Sequence, residues 1–199
     1  MNLRNTVLSA VLLTLILSSC RESIVKTTYD DGQLFEEYQY KGDSLKHGTY
    51  KAYHNNGKIQ EESAYQNGQL HGTRKLYDQT GALEIEEVYS DGILSGEYKT
   101  FYDNGNVKLE GTYTDNVLKG MVKGYYPTGQ LKEEVEFVDN VEDGPFKEYH
   151  ENGQLRWEGS YRKGNNEFGL LKEYDESGQL IRKMMCDENA VCTTTWTID

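Results

Sequence analysis

Histidine and carboxylate side chains are the residues of this chain that could support acid–base catalysis or bind a metal ion. There are four histidines and 33 acidic residues. His54 and His150 occupy equivalent positions beside predicted turns, and His47 and His71 each directly precede a glycine. Catalysis requires a nucleophile, a base and an orienting acid that come together, and a metal requires a matched set of ligands. Because the histidines and acids instead follow a regular period, we expect no enzyme activity, no catalytic residue, no metal site and no cofactor.

Cys20 offers a different chemistry, the covalent attachment of lipid. It follows Arg4, the apolar run from Val7 to Leu17 and two serines, an order that is typical of a secretory signal. The segment Leu17-Ser18-Ser19-Cys20 resembles the lipobox of bacterial lipoproteins, which implies cleavage before Cys20 and lipidation of its thiol. The alternative is an ordinary signal peptide followed by an incidental cysteine. We predict a signal peptide at 1–19, a lipidated tether at 20–28, and a membrane-anchored lipoprotein of the cell envelope that faces the periplasm or the cell exterior.

The other two cysteines, Cys186 and Cys192, lie in the segment 184–199, which we expect to form a C-terminal cap. An oxidising compartment favours a disulfide between them, which would close a short loop and fasten a terminal strand over the edge of a sheet. A free or reducible pair is one alternative. A metal site is another, but it would need two more ligands, and no histidine lies nearby.

The net charge restricts the possible partners. After removal of residues 1–19, 20 basic residues stand against 33 acidic ones, which gives a net charge of −13. So acidic a chain offers no basic surface for the phosphate contacts that dominate nucleic-acid binding, and anionic lipid repels it. We expect no nucleic-acid partner, and contact with the membrane through the lipid anchor alone.

Glycine recurs at intervals of 24 residues, and this period determines the architecture. The first series is Gly48, Gly72, Gly96, Gly120, Gly144 and Gly169, and the second series, nine residues behind it, is Gly57, Gly81, Gly105, Gly129, Gly153 and Gly178. The last step of each series is 25 residues, so the final repeat has one extra residue, which we expect in a turn within 162–168. Such a period is typical of proteins in which each repeat packs against its neighbours.

Each repeat is predicted to be a β-hairpin. Asn56-Gly57 lies between apolar runs, and Asn-Gly is the strongest short hairpin signal because both residues tolerate positive φ. A second turn, within 67–72 and its equivalents, joins each hairpin to the next. The predicted fold is therefore all-β: an elongated, twisted antiparallel β-meander built from about six 24-residue hairpins.

A two-residue turn at each Asn-Gly fixes the register and the faces of the sheet. It places Lys51 opposite Glu62, so a ladder of lysine–glutamate pairs should run along the sheet. Ile59 and Tyr65 lie six residues apart on one strand and are predicted to share a face, with Glu62 on the other. The Tyr65 column is the candidate binding surface: Tyr65, Tyr89, Tyr113, Phe137 and Tyr161.

The segment GTYKAYHNNGKIQEESAYQNGQLHG at 48–72 resembles the MORN repeat family, and more closely its bacterial variant. That unit reads glycine, aromatic-lysine strand, N-G-x-L turn, glutamate, tyrosine, then N-G-x-L-x-G. The resemblance extends over 29–183 and weakens at both ends; a partial unit without its first strand begins at Tyr29. It implies an elongated sheet used for interaction, and some bacterial members carry an antitoxin label.

Together these features predict a non-catalytic, lipid-anchored extracytoplasmic scaffold that binds a protein partner in the cell envelope through the Tyr65 column. Two other functions stay open. One is an immunity or antitoxin-type protein that neutralises a toxin outside the cytoplasm. The other is glycan or cell-wall binding, because tyrosine rings also stack on sugars. Packing within a thin sheet could also account for these tyrosines.

Overall fold

The computed structural model describes residues 23–41, 45–164 and 166–198. Seventeen strands form one antiparallel sheet in this part of the chain. In chain order they are β1 (Ser23–Thr28), β2 (Leu34–Lys41), β3 (Leu45–Tyr53), β4 (Ile59–Gln66), β5 (Gln69–Leu70), β6 (Gly72–Tyr77), β7 (Leu83–Ser90), β8 (Ile93–Phe101), β9 (Val107–Thr114), β10 (Val117–Leu118), β11 (Gly120–Tyr125), β12 (Leu131–Val138), β13 (Val141–Tyr149), β14 (Leu155–Tyr161), β15 (Gly169–Tyr174), β16 (Leu180–Cys186) and β17 (Cys192–Thr197). The predicted signal peptide and Cys20 lie outside the described residues. Among the described residues, no helix is long and apolar enough to span a membrane.

The strands pair in the order of the chain, so the predicted β-meander of 24-residue hairpins is confirmed. The same order continues to the C-terminus. Two strands are interrupted near their start: β5 and β6 both pair with β4, and β10 and β11 both pair with β9. These interruptions, together with β1, β2 and β17 at the ends, explain why the sheet has more strands than six hairpins supply.

The sheet begins earlier than the sequence indicates. The prediction of a tether at 20–28 is wrong for residues 23–28, which form β1 and pair along their length with β2. Lys26 lies opposite Glu37, and their charged atoms are 2.9 Å apart. Since β1 has neither the glycine nor the aromatic residues of the repeat, the period does not mark it. It supplies the first strand that the partial unit at Tyr29 was predicted to lack.

The turn inside each hairpin has three residues, so the predicted two-residue turn is wrong. In the first repeat the His54 N–H donates to the Lys58 carbonyl, and the Gly57 N–H donates to the His54 carbonyl, each at 2.8 Å. Gly57 has a φ of 80°, whereas Asn56 keeps a negative φ. This is a type I turn followed by a G1 bulge. The Asn56 side chain stabilises it by accepting the Lys58 N–H through Oδ1 at 3.0 Å.

Two-residue turns occur between the repeats instead. Asn67 and Gly68 have φ values of 51° and 83°, the positive pair that a type I′ turn requires. Backbone hydrogen bonds join successive connectors, as when the Gly92 N–H donates to the Leu70 carbonyl at 2.8 Å. The extra residue of the last repeat falls in the connector 162–168, between β14 and β15.

The predicted register is correct even though the predicted turn is not. Lys51 does lie opposite Glu62. The three-residue turn alone would shift the pairing by one residue, but β4 contains an unpaired residue, Gln60, beside the point where Ala52 and Tyr53 pair with it. This β-bulge restores the register. The same shift occurs in all six repeats.

The bulge also places the two apolar columns on opposite faces. Residues directly opposite each other in an antiparallel sheet share a face. Ile59 pairs with Tyr53, which lies two residues from Lys51, so Ile59 is on the same side as Lys51 and Glu62. Tyr65 is on the other side. The prediction that Ile59 and Tyr65 share a face is therefore wrong. We call the side with Lys51 and Glu62 the ladder face, and the side with Tyr65 the core face.

The core face carries the buried side chains of the described residues. They are Ala52, Ser63, Val122, Val135, Phe146, Leu171 and Cys186. Val135, Phe146, Leu171 and Cys186 pack into one cluster in the C-terminal half. Because no second layer covers this single sheet in the described part of the chain, burial depends on neighbouring side chains of the same face covering one another.

Candidate functional site

The five predicted aromatic residues form one row on the core face. Each lies directly opposite the first glycine of its repeat, as Tyr65 lies opposite Gly48. The row consists of Tyr65, Tyr89, Tyr113, Phe137 and Tyr161. All five side chains are partly buried and keep some accessible surface. In the last repeat Cys186 takes the aromatic position, opposite Gly169.

Part of the row packs against a second set of aromatic rings. Tyr65 meets Tyr50 edge to face with centroids 5.7 Å apart, and Tyr113 meets Tyr98 in the same way at 5.5 Å. The rings of Phe146 and Tyr161 stack at 4.2 Å. Aromatic pairs contribute about 0.5–1.5 kcal/mol beyond the area they bury, so the row also stabilises the sheet.

Lysine and glutamate alternate across the ladder face from β1 to β15. Six cross-strand pairs have charged atoms 2.7–3.6 Å apart: Lys26–Glu37, Lys51–Glu62, Lys75–Glu86, Lys123–Glu110, Lys147–Glu134 and Lys172–Glu158. Lys99 instead contacts Glu97 on its own strand at 2.7 Å. Exposed pairs of this kind contribute about 0–1 kcal/mol each, so the ladder mainly maintains register and solubility.

A column of tyrosines on the ladder face donates hydroxyl hydrogen bonds to the ladder glutamates. Tyr77 donates to Glu62 Oε2 at 2.9 Å. The same bond is made at 2.6–2.8 Å by Tyr53, Tyr125, Tyr149 and Tyr174. Burial, and then the bond to Glu62, raises the pKa of Tyr77 from 10.0 to about 12. Hydrogen bonds from Lys51 and Tyr77 lower the pKa of Glu62.

On the core face the chain places its own cations against aromatic rings and carboxylates. Lys46 Nζ lies 4.7, 4.1 and 5.3 Å from the ring centroids of Tyr38, Tyr50 and Tyr65. The Glu36 carboxylate is 3.8 Å from the same ammonium. Cation–π contacts of this kind stabilise by about 0.5–2 kcal/mol, depending on exposure.

Two arginines on the same face have similar surroundings. The Arg182 guanidinium lies 5.4 Å from the Trp157 ring and donates to Glu173 at 2.7 Å. Arg74 lies between two glutamates and bonds Glu61 at 3.0 Å and Glu87 at 3.2 Å. The hydrogen bond with Glu61 raises the pKa of Arg74. Aromatic and acidic side chains of the core face therefore hold cations at three places.

A cavity of about 180 Å³ lies on the core face in the C-terminal half. Its lining consists of Glu148, Glu167, Trp157 and Tyr161 with the apolar side chains of Phe146 and its neighbours, and contains no basic residue. Burial raises the pKa of Glu148. Burial, and then the negative charges of nearby glutamates, raises the pKa of Tyr161 to about 12. The cavity is therefore partly desolvated and electronegative.

The histidines take part in contacts around the turns. His54 Nε2 lies 2.8 Å from the carbonyl oxygen of Tyr77, and His150 Nε2 lies 2.9 Å from that of Tyr174. Each contact links one hairpin to the next. No cluster of three or more histidine, cysteine, aspartate or glutamate residues suited to a metal ion is found within the described residues.

Cys186 and Cys192 lie opposite each other on β16 and β17 and form a disulfide. Their Cα atoms are 3.9 Å apart. Since Cys186 belongs to the buried cluster, the disulfide connects the last strand of the sheet to the core.

The repeat unit seen in the sheet matches a known family over more than half of the chain. The matched segments are 46–67, 70–91, 94–115, 118–139, 142–163 and 169–185, and each matches the MORN repeat variant. The chain belongs to this family. Every full hairpin of the structure is thus a MORN repeat, and the MORN array forms a repeat scaffold of a kind suited to binding. No curated protein matches the chain.

The cavity was missed by the sequence-based search for a site. Glu148 and Trp157 occupy MORN positions whose residue type changes from repeat to repeat, so a search for constant columns passes over them. No constant column marks these positions: Trp157 stands where the first repeat has Glu61, and Glu148 where it has Ala52.

Proposed function

We propose that this MORN repeat protein is a non-catalytic scaffold, lipid-anchored at Cys20 outside the cytoplasm, that binds another protein of the cell envelope through its core face. The observation that carries the proposal is the aromatic row from Tyr65 to Tyr161, which is in register across five consecutive repeats and partly exposed. Aromatic side chains that are rigid and partly accessible are frequent anchors of protein interfaces.

The two faces differ in a way that favours the core face as the binding surface. The ladder face is covered by lysine–glutamate pairs, whose charged groups would have to lose water on binding. The core face presents the continuous aromatic row, whose partly accessible rings a partner can cover with its own apolar side chains. A partner protein is therefore expected to contact the aromatic row.

Site-specific photo-crosslinking tests this proposal. A photoreactive phenylalanine analogue replaces Tyr113 on the core face in one variant and Tyr125 on the ladder face in a matched variant. We expect a protein adduct from position 113 in intact cells and none from position 125. A toxin among the adducts would favour an immunity role for the same surface. Adducts of equal yield from both positions, or a glycan-array signal without any protein adduct, would contradict the proposal.

A further inference from the structure

The core-face cavity, lined by residues from β13 to β16, lies beside an unfavourable arrangement of charge. Glu133 and Glu148 lie directly opposite each other on β12 and β13. Like charges in directly opposed positions destabilise a sheet. On the ladder face, by contrast, glutamate is opposed by lysine in five of the six repeats. The core face therefore maintains an unfavourable pair beside the cavity.

The basic residues near this pair lie at its periphery. Lys132 Nζ is 3.9 Å from Glu133, and Arg156 Nη1 is 3.8 Å from Glu148. Both distances are longer than a hydrogen bond, and about half of each basic side chain is exposed. Glu148 therefore has one long, partly exposed ion pair with Arg156, while the residues that line the cavity itself include no lysine or arginine.

The same face shows what such a lining holds when a cation is present. The ammonium of Lys46 lies among three tyrosine rings beside Glu36, and the guanidinium of Arg182 lies over Trp157 beside Glu173. Each of these places combines aromatic rings with a carboxylate. The cavity has the same components in Trp157, Tyr161, Glu148 and Glu167.

We propose that this cavity binds a lysine or arginine side chain from a basic segment of the partner protein, with the cation against Tyr161 and paired with Glu148 and Glu167, beside the Trp157 ring that Arg182 already contacts. The inference rests on the proposed function because it names the chemistry of the partner. Charge complementarity supports it, since the chain after Cys20 carries −13 and the cavity lining contains no basic residue. Its volume of about 180 Å³ suits one side-chain head rather than a folded element.

A peptide titration followed by NMR tests the proposal without the natural partner. The probes are the peptides acetyl-Gly-Lys-Gly-amide and acetyl-Gly-Arg-Gly-amide, with acetyl-Gly-norleucine-Gly-amide as the uncharged control. The chain has two tryptophans, so the indole N–H resonances of Trp157 on the core face and Trp196 on β17 can be followed separately. We expect a saturable shift at Trp157 with at least one cationic peptide, none with the norleucine peptide, and none at Trp196.

Matched variants identify the carboxylates that matter. Glu148→Gln and Glu167→Gln should each weaken binding of the cationic peptide by about tenfold or more, because each removes a charged partner. Glu134→Gln, on the ladder face, should leave the affinity unchanged. An equal shift with the norleucine peptide, or equal affinity in all three variants, would overturn the proposal. The titration tests the cavity, and the photo-crosslinking tests the core face as a binding surface. A negative result in one experiment leaves the result of the other unaffected.

Discussion

At the scale of single residues, the positive-φ glycines set the path of the strands. Gly96 is one of the more constrained of them. It has a φ of 143°, a region closed to residues with a side chain, and a methyl group there would lie 2.7 Å from Val88 Cβ. Gly72, the equivalent residue one repeat earlier, has a φ of 92° and open space around it. Alanine substitutions at the two positions therefore separate the cost of backbone strain, which both share, from the cost of steric overlap, which arises only at Gly96.

We predict that Gly96→Ala lowers the free energy of unfolding by about 2–4 kcal/mol, since backbone strain and overpacking each cost about 1–3 kcal/mol. Gly72→Ala should cost only the strain, about 1–2 kcal/mol. Denaturant unfolding of both variants measures the difference. If the two substitutions cost the same, steric overlap with Val88 contributes nothing to the loss of stability.

The tyrosine–glutamate bonds of the ladder face give a second residue-scale prediction. Tyr77→Phe removes the hydroxyl that donates to Glu62 and should cost about 1 kcal/mol at neutral pH. Phe101 occupies the equivalent position without a hydroxyl, and Glu86 lies where the acceptor would be. Phe101→Tyr should therefore stabilise the sheet by a similar amount. Denaturant unfolding of both variants at one pH checks the opposite signs.

The same pair of variants should respond to alkaline pH. The pKa of Tyr77 is raised from 10.0 to about 12 in the folded state, so its contribution is complete below pH 10 and is lost as the pH rises towards 12. The difference in unfolding free energy between the wild type and Tyr77→Phe should shrink across that window. A difference that stays constant to pH 12 would show that the Tyr77 hydroxyl titrates normally.

At the scale of elements, the hairpins show what the sequence could reveal. The repeat period and the Asn-Gly dipeptides correctly predict an all-β meander and place Lys51 opposite Glu62. That register results from two features that differ from the predicted hairpin and cancel each other: a turn of three residues instead of two, and a bulge at Gln60. No glycine or proline marks the bulge, because the unpaired position is filled by an ordinary polar residue in the first repeat. The faces assigned to Ile59 and Tyr65 therefore could not be derived from alternation alone.

The ends of the array and the cavity were harder to predict for a related reason. β1 pairs through its backbone with β2 and needs no repeat glycine, so its sequence carries no periodic mark. Glu148 and Trp157 meet because bulges and connectors bring β13, β14 and β15 into register. The aromatic row, in contrast, was predictable as a set because its members recur at a constant spacing from the first glycine of each repeat.

At the scale of the whole molecule, the proposed lipid anchor would determine where the sheet operates. Cys20 is only three residues before β1, so a lipid on its thiol would hold the first strand close to the membrane surface. We predict that Cys20→Ser transfers the protein from the membrane fraction to the soluble fraction, or leaves an uncleaved precursor. Fractionation and mass spectrometry of the N-terminus measure this result, with Cys192→Ser as a control that keeps the anchor. A Cys20→Ser protein that is still processed at the same site and still in the membrane would exclude lipidation.

The strength of coupling along the array is the last whole-molecule property that the structure makes testable. Each MORN repeat contacts its neighbours in the chain, and β17 has one neighbouring strand, so the final repeat should be the least stable. The disulfide ties β17 to the buried cluster and should contribute about 2 kcal/mol there.

We expect that loss of this bond loosens the C-terminal strands and leaves the centre intact. In hydrogen exchange, amides from Gly169 onwards should lose protection on reduction, while those from Gly72 to Gly144 keep theirs. The double variant Cys186→Ala with Cys192→Ala removes the disulfide without a reductant, which matters because Cys186 is buried. It should show the same loss of amide protection from Gly169 onwards. Because each repeat is stabilised by its nearest neighbours, loosening of the last strands should weaken the adjacent repeat less and more distant repeats hardly at all. A loss of amide protection that decreases from β17 towards β13 would therefore agree with this prediction. Uniform loss of protection from β3 to β17 would show instead that the sheet unfolds as one cooperative unit.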